Sequence, residues 1–104
     1  MKIIITGGSG FIGSNLAAQL KKEHNVTIFD VKKNVNDIDF IEGDVTNLDS
    51  VKNSITDCDL VIHLAASLGV VNVERDPVQT LNINLGGTKN VLEACRINNI
   101  KKII

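Results

Sequence analysis

The chain has no tyrosine and no tryptophan, and only three phenylalanines among its 104 residues. Without tyrosine there is no phenol to act as a general acid or base, so proton-transfer chemistry that needs one cannot be completed by these residues. Cys58 and Cys95 are the only cysteines, and they lack the close spacing of a metal site. They read as reduced, buried thiols of a cytosolic protein. Long hydrophobic runs are also missing. Met1 and Lys2 lead into a short apolar run that stops before Gly7, too short for a secretory segment or a membrane span. Neither sign of charge dominates: 11 basic against 12 acidic residues give a formal net charge of −1, which offers nothing to draw nucleic acid or an anionic membrane. At this length the chain is one domain at most.

What remains is a chain of short apolar runs alternating with amphipathic stretches, the pattern of a parallel sheet with crossover helices. Lys2–Thr6 reads as a buried strand, and Phe11 to about Glu23 as a helix with Ile12, Leu16 and Leu20 on one face. Asn25–Asp30 is a second strand and Phe40–Glu42 a short third. The nine residues between them, VKKNVNDID, are rich in Asn and Lys and read as a crossing without its own helix. Thr46 or Asn47 caps a short helix carrying Leu48, Val51 and Ile55. Asp59–Ala65 is a fourth strand. The single proline, Pro77, opens a long helix that ends around Asn98-Asn99, with Val78, Leu81, Leu85, Val91 and Cys95 near one face. Ile100–Ile104 reads as the first half of a fifth strand.

Against these absences stands a surplus of glycine: four of the eight fall at Gly7, Gly8, Gly10 and Gly13. The cluster follows a strand and opens a helix, the context that separates a dinucleotide fingerprint from a chance run. Two registers fit, Gly8-x-Gly10-x-x-Gly13 and Gly7-x-x-Gly10-x-x-Gly13. In either, the first glycine permits a tight turn, Gly10 lets a pyrophosphate approach the backbone, and Gly13 lets the helix lie close on the sheet. The free N–H groups of Phe11 and Ile12 then face the phosphates at the positive end of the helix. Asp30 ends the second strand about 20 residues past the glycines, where an acid accepts hydrogen bonds from a ribose 2′-OH and repels a 2′-phosphate. This favours NAD over NADP, although Lys32 and Lys33 stand close by.

Four stretches, TGGSGFIG, GDVTN, HLAA and NLGGTKNVLEAC, occur in that order and together span nearly the whole chain. With them the sequence resembles the extended short-chain dehydrogenase/reductase family, the NAD-dependent nucleotide-sugar epimerases and dehydratases. The resemblance implies an α/β Rossmann-type parallel sheet with flanking helices, strand order 3-2-1-4 and a partial fifth strand. It selects Gly7, Gly10 and Gly13 as the three glycines and leaves Gly8 as a turn residue. It makes Asp44-Val45 the pair that holds the adenine. Leu64-Ala65-Ala66 becomes the small-residue strand end beside the middle ribose and nicotinamide half, a contact that Ser67 and Leu68 extend. Asn84 falls near the nicotinamide end. His63 reads as a packed, hydrogen-bonded histidine, Asn82 as pointing elsewhere, and His24 with Lys21, Lys22 and Glu23 as a solvated helix end.

The resemblance also places the chemistry in a Tyr-x-x-x-Lys pair with a Ser or Thr, beyond the fifth strand. No catalytic residue is therefore expected within residues 1–104, and the chain reads as the N-terminal part of a NAD-binding domain, cut short and without a second domain. The expected parent enzyme is UDP-glucose 4-epimerase-like, cytoplasmic, with a nucleotide-sugar substrate and hydride transfer at a sugar carbon. The alternative is a non-catalytic dinucleotide-sensing module. A sheet ending at a half-strand implies a raw edge, hence a homo-oligomer or a strand-swapped assembly.

Overall fold

A computed structural model describes all 104 residues. Four strands form one parallel sheet in the order β3-β2-β1-β4: β1 is Lys2–Thr6, β2 Asn25–Asp30, β3 Asp39–Glu42 and β4 Leu60–His63. Ile3 sits opposite Val26 on one side and Leu60 on the other, which puts β1 at the centre of the sheet. Successive side chains of a strand point to opposite faces. Ile3 and Ile5, with Val26, Ile28 and Ile62, therefore pack with Ala17 of helix α1 (Phe11–Leu20), while Ile4, Phe29 and Val61 join a larger cluster on the opposite face. That second cluster takes Val51 and Ile55 from the region of helix α2 (Leu48–Ser54) and Val91, Ala94 and Cys95 from helix α5 (Thr88–Ile97). A strand covered on both faces must be apolar throughout, and the Ile3-Ile4-Ile5 run meets that requirement.

The two longest strands keep the bounds read from the sequence. Helix α1 is shorter than expected. It ends at Leu20, and the amides of Lys21 to His24 close tight turns onto carbonyls of Ala17, Gln19 and Leu20. Strand β4 likewise stops at His63, because the backbone leaves β1 after a last bond from the Leu64 amide to the Thr6 carbonyl. The β2–β3 crossing contains no helix, as its composition indicates. Of the two candidate caps, Asn47 is the one used: its side chain accepts from the Ser50 amide at 3.1 Å. Residues 102–104 run parallel beside β4, with Val61 and His63 donating to the carbonyls of Lys102 and Ile104.

The long helix from Pro77 needs the largest correction. It is three pieces: α4 (Pro77–Leu81), a π segment (Asn82–Gly87) and α5. The wider π turn shifts the helical phase, so the face expected from Val78 to Cys95 is not continuous. Val91 and Cys95 are buried, whereas Val78, Leu81 and Leu85 are exposed. A further short helix, α3 (Val70–Arg75), buries none of its residues. No helix is long and apolar enough to cross a membrane.

Candidate functional site

The glycine loop joins β1 to α1. Gly7 adopts φ +68°, and a Cβ there would lie 2.7 Å from the Ala65 amide nitrogen, so the turn admits no side chain on either count. The Gly7 amide donates to the Phe29 carbonyl, and the Gly10 amide donates back to Gly7. Gly13 has a different neighbour from the expected one. A Cβ on it would meet the Gly7 carbonyl oxygen and Gly8 Cα at 2.6 Å, so at this position α1 lies against the loop, and one turn further on Ala17 packs on the sheet. Helix α1 has extended Gly10 at its cap position and no capping side chain. The amides of Phe11 and Ile12 accordingly have no acceptor within the protein. Bare first-turn amides with the helix dipole behind them are a ready anion site.

Asp30 braces this loop. Its Oδ2 accepts from the Ser9 amide at 3.0 Å and its Oδ1 from the Val31 amide at 2.7 Å. Asp44 uses one oxygen, Oδ1, for both the amide and the hydroxyl of Thr46, leaving Oδ2 without a partner in the protein. Both carboxylates border a cavity of about 260 Å³, together with Gly7, Gly10, Val45, Leu64, Ala65 and Ala66. Eight of the residues singled out in the sequence thus line one space at the carboxyl ends of the strands. This is where an open α/β sheet takes its ligands.

Phe11, Ile12, Gly13 and Asn84 do not line that cavity. Phe11 and Ile12 are 87% and 67% exposed, which leaves two large apolar side chains in solvent beside the bare amides. Asn84 is committed to the protein: its Oδ1 accepts from the Ser67 amide at 2.7 Å and its Nδ2 donates to the Ser67 carbonyl at 3.1 Å. Asn82 lies apart, facing Thr46 and Lys89 across a polar groove. Leu68 joins the cavity wall while Ser67 does not.

His63 is packed and hydrogen-bonded, between Thr6 Oγ1 at 2.7 Å and Thr88 Oγ1 at 3.0 Å. Burial holds its pKa below the ordinary imidazole value, so the ring is neutral near pH 7. Cys58 and Cys95 are free and buried, and burial, with Cys95 and Asp59 nearby, pushes the Cys58 thiol up to about 11. Such thiols are inert.

Sequence reasoning missed Thr6, Ser9 and Thr88. Thr6 is fully buried at the strand end, a placement that a polar residue just before the glycines could have signalled. Thr88 follows Asn84 by four, one helical turn on. Ser9 Oγ is buried without a hydrogen-bond partner, a rare condition that a water or ligand relieves.

A parallel sheet in this order, with a glycine turn between its central strand and first helix, defines a Rossmann-type α/β fold. Residues 3–104 match the model of the NAD dependent epimerase/dehydratase family, and the chain belongs to that family. A putative UDP-glucose 4-epimerase of Methanocaldococcus jannaschii is 37% identical over 110 residues, covering 98% of this chain and 36% of the relative. The dTDP-glucose 4,6-dehydratase of Mycobacterium tuberculosis is 31% identical, over 97% of this chain and 34% of its own. Among solved structures, the Thermus thermophilus UDP-glucose 4-epimerase complex with NAD superposes with a TM-score of 0.90 at 32% identity, over 99% of this chain and 36% of that one. The Brucella ovis UDP-glucose 4-epimerase in complex with NAD gives 0.89 at 30% identity, over 98% of this chain and 34% of that one. The chain spans about a third of the length of these relatives.

Proposed function

We propose that these residues form the N-terminal, NAD-binding part of a larger nucleotide-sugar epimerase or dehydratase, of the UDP-glucose 4-epimerase type. The observation that carries this reading is the pair of unpartnered amides on Phe11 and Ile12, which directly follow Gly10 in the chain, itself part of the wall of a cavity bordered by two carboxylates. Those amides would hold the diphosphate. Asp30, already fixed by two backbone amides, would accept from a ribose 2′-OH with its remaining lone pairs. Asp44 Oδ2 is free to accept from an adenine amine beside Val45. The small residues Ala65 and Ala66 leave room for the other half of the dinucleotide. When bound, NAD takes up and returns a hydride at a sugar carbon. The chain's own groups bind and orient; none of its side chains is a phenol that could move the accompanying proton. A cavity of about 260 Å³ falls below the ~300–1,000 Å³ of a complete small-molecule site, which supports a partial one.

The sugar substrate would then be held by other parts of the protein. Buried reduced thiols support a cytoplasmic protein. Exposed Val78, Leu81, Leu85 and Leu92 on one stretch of helix support a homo-oligomer. Calorimetry with NAD, NADP and ADP tests the cofactor reading. NAD and ADP should bind, and NADP should bind more weakly because Asp30 repels a 2′-phosphate. Binding of NADP with none of NAD would overturn the role given to Asp30.

A further inference from the structure

The segment from Leu64 to Leu68 forms part of the cavity wall yet belongs to no helix or strand. A wall of irregular backbone must be held by something else. The Leu64 amide donates to the Thr6 carbonyl at its start, and Asn72 Nδ2 donates to the Leu68 carbonyl at 2.7 Å at its end; between them, two side-chain anchors hold it. The Ala65 amide donates to Thr6 Oγ1 at 3.3 Å, and both backbone groups of Ser67 are clasped by the Asn84 side chain. These anchors are one connected network. Thr88 donates its hydroxyl proton to the Asn84 carbonyl at 2.6 Å, so toward His63 it can only accept. His63 Nε2 is then the donor at 3.0 Å, and its Nδ1 accepts from the Thr6 hydroxyl at 2.7 Å. The line runs from the end of β1, through the last residue of β4, to the π segment and back to Ser67.

Strand order reverses at β1: β2 and β3 lie on one side, β4 on the other. A dinucleotide lying across that point puts the ribose bound by the β2 acid on one side and its second nucleotide on the other. Asp30 marks the first side, and the Leu64–Leu68 wall lies on the second.

We propose that Thr88, acting with His63 and Asn84, is a positioning residue that sets the Leu64–Leu68 wall for the nicotinamide-side half of the dinucleotide; this rests on the function proposed above. Thr88 lies outside the cavity lining and acts only through its partners. The π segment explains how Asn84 and Thr88 reach two different targets from one helix. A π turn re-aims side chains relative to a regular α-helix, and such turns collect at functional sites. His63 is ringed by hydroxyls, and no charged neighbour contributes to its lowered pKa, so the neutral ring that the network requires is the one present.

The test compares NAD with ADP, which lacks the second nucleotide, on the intact protein and three variants: Thr88→Val, Thr88→Ser and Asn84→Ala. Val matches Thr in shape but offers no hydroxyl, whereas Ser restores it. Thr88→Val and Asn84→Ala should each weaken NAD roughly tenfold, the size of one lost hydrogen bond, while leaving ADP within about twofold. Thr88→Ser should return NAD binding to within about threefold of the parent value. Equal weakening of NAD and ADP in Thr88→Val, or no weakening of either, would overturn the positioning role and leave the cofactor reading standing. A folded parent protein that binds neither NAD nor ADP would overturn the cofactor reading and this inference with it.

Discussion

His63 shows how a single buried ring carries a pH dependence. Its pKa is lowered in the folded protein by burial, while in the unfolded chain it titrates near the ordinary value of about 6.5. Above that value the ring is neutral in both states and contributes no slope. As the pH falls below it, the unfolded chain takes up a proton that the folded protein resists, so folding becomes less favourable until the folded-state pKa is passed. Protonation would also remove the acceptor that Nδ1 offers to Thr6. Urea midpoints measured at pH 7.5 and 5.5 should therefore drop more for the parent than for His63→Gln, which cannot titrate. An equal drop in both proteins would show that other groups carry the acid sensitivity. At this scale the sequence was informative where chemistry and position coincide. The sequence pattern groups Gly7, Gly10, Asp30 and Asp44, and in the structure they border one cavity. It was less informative for Asn84, because an amide on a helix gives no sign of which backbone it clasps.

Elements were legible in proportion to their burial. Strands β1 and β2 are covered on both faces, so their apolar, β-branched runs define their own ends. Helix α3 was not foreseen because it has no core-facing side, and without one there is no periodicity to detect. The π segment escaped for a related reason. One inserted residue changes the phase of a helix without changing its composition. Its two adjacent glycines now separate two effects that the sequence leaves merged. A Cβ at Gly86 would meet nothing within 4 Å, while one at Gly87 would stand 2.6 Å from Cγ2 of buried Val45. Alanine is the better helix former by about 0.8–1 kcal/mol. Gly86→Ala should stabilise the protein by about that amount in urea titrations. Gly87→Ala should destabilise it despite the same propensity gain, because Val45 is β-branched, packed and unable to swing aside. If both substitutions stabilise equally, the close packing of the π segment on Val45 is not a constraint.

For the whole molecule, the balance between covered and uncovered apolar surface decides the behaviour. The sheet has a core on each face, but only 20 of 104 residues are buried, and Val78, Leu81, Leu85, Leu92 and Ile104 leave more than half of their surface in solvent. A domain of this size buries roughly two thirds of its unfolded surface, so its stability has little to spare. Covering the outer side of the Pro77–Ile97 stretch would remove apolar area at about 25 cal/mol per Å². The segment Lys102–Ile104 adds a second feature, since it bonds to β4 through Lys102 and Ile104 while the Ile103 amide has no acceptor among these residues. The two features make different predictions for how copies of the chain associate. If the helix face drives association, Leu81→Glu with Leu85→Glu should give the mass of one chain in sedimentation at concentrations where the parent sediments as more. If the strand edge drives it, those substitutions should change nothing, while Ile103→Pro, which removes an edge amide and fixes φ, should abolish association instead. A parent that sediments at the mass of one chain across the whole range would remove both routes.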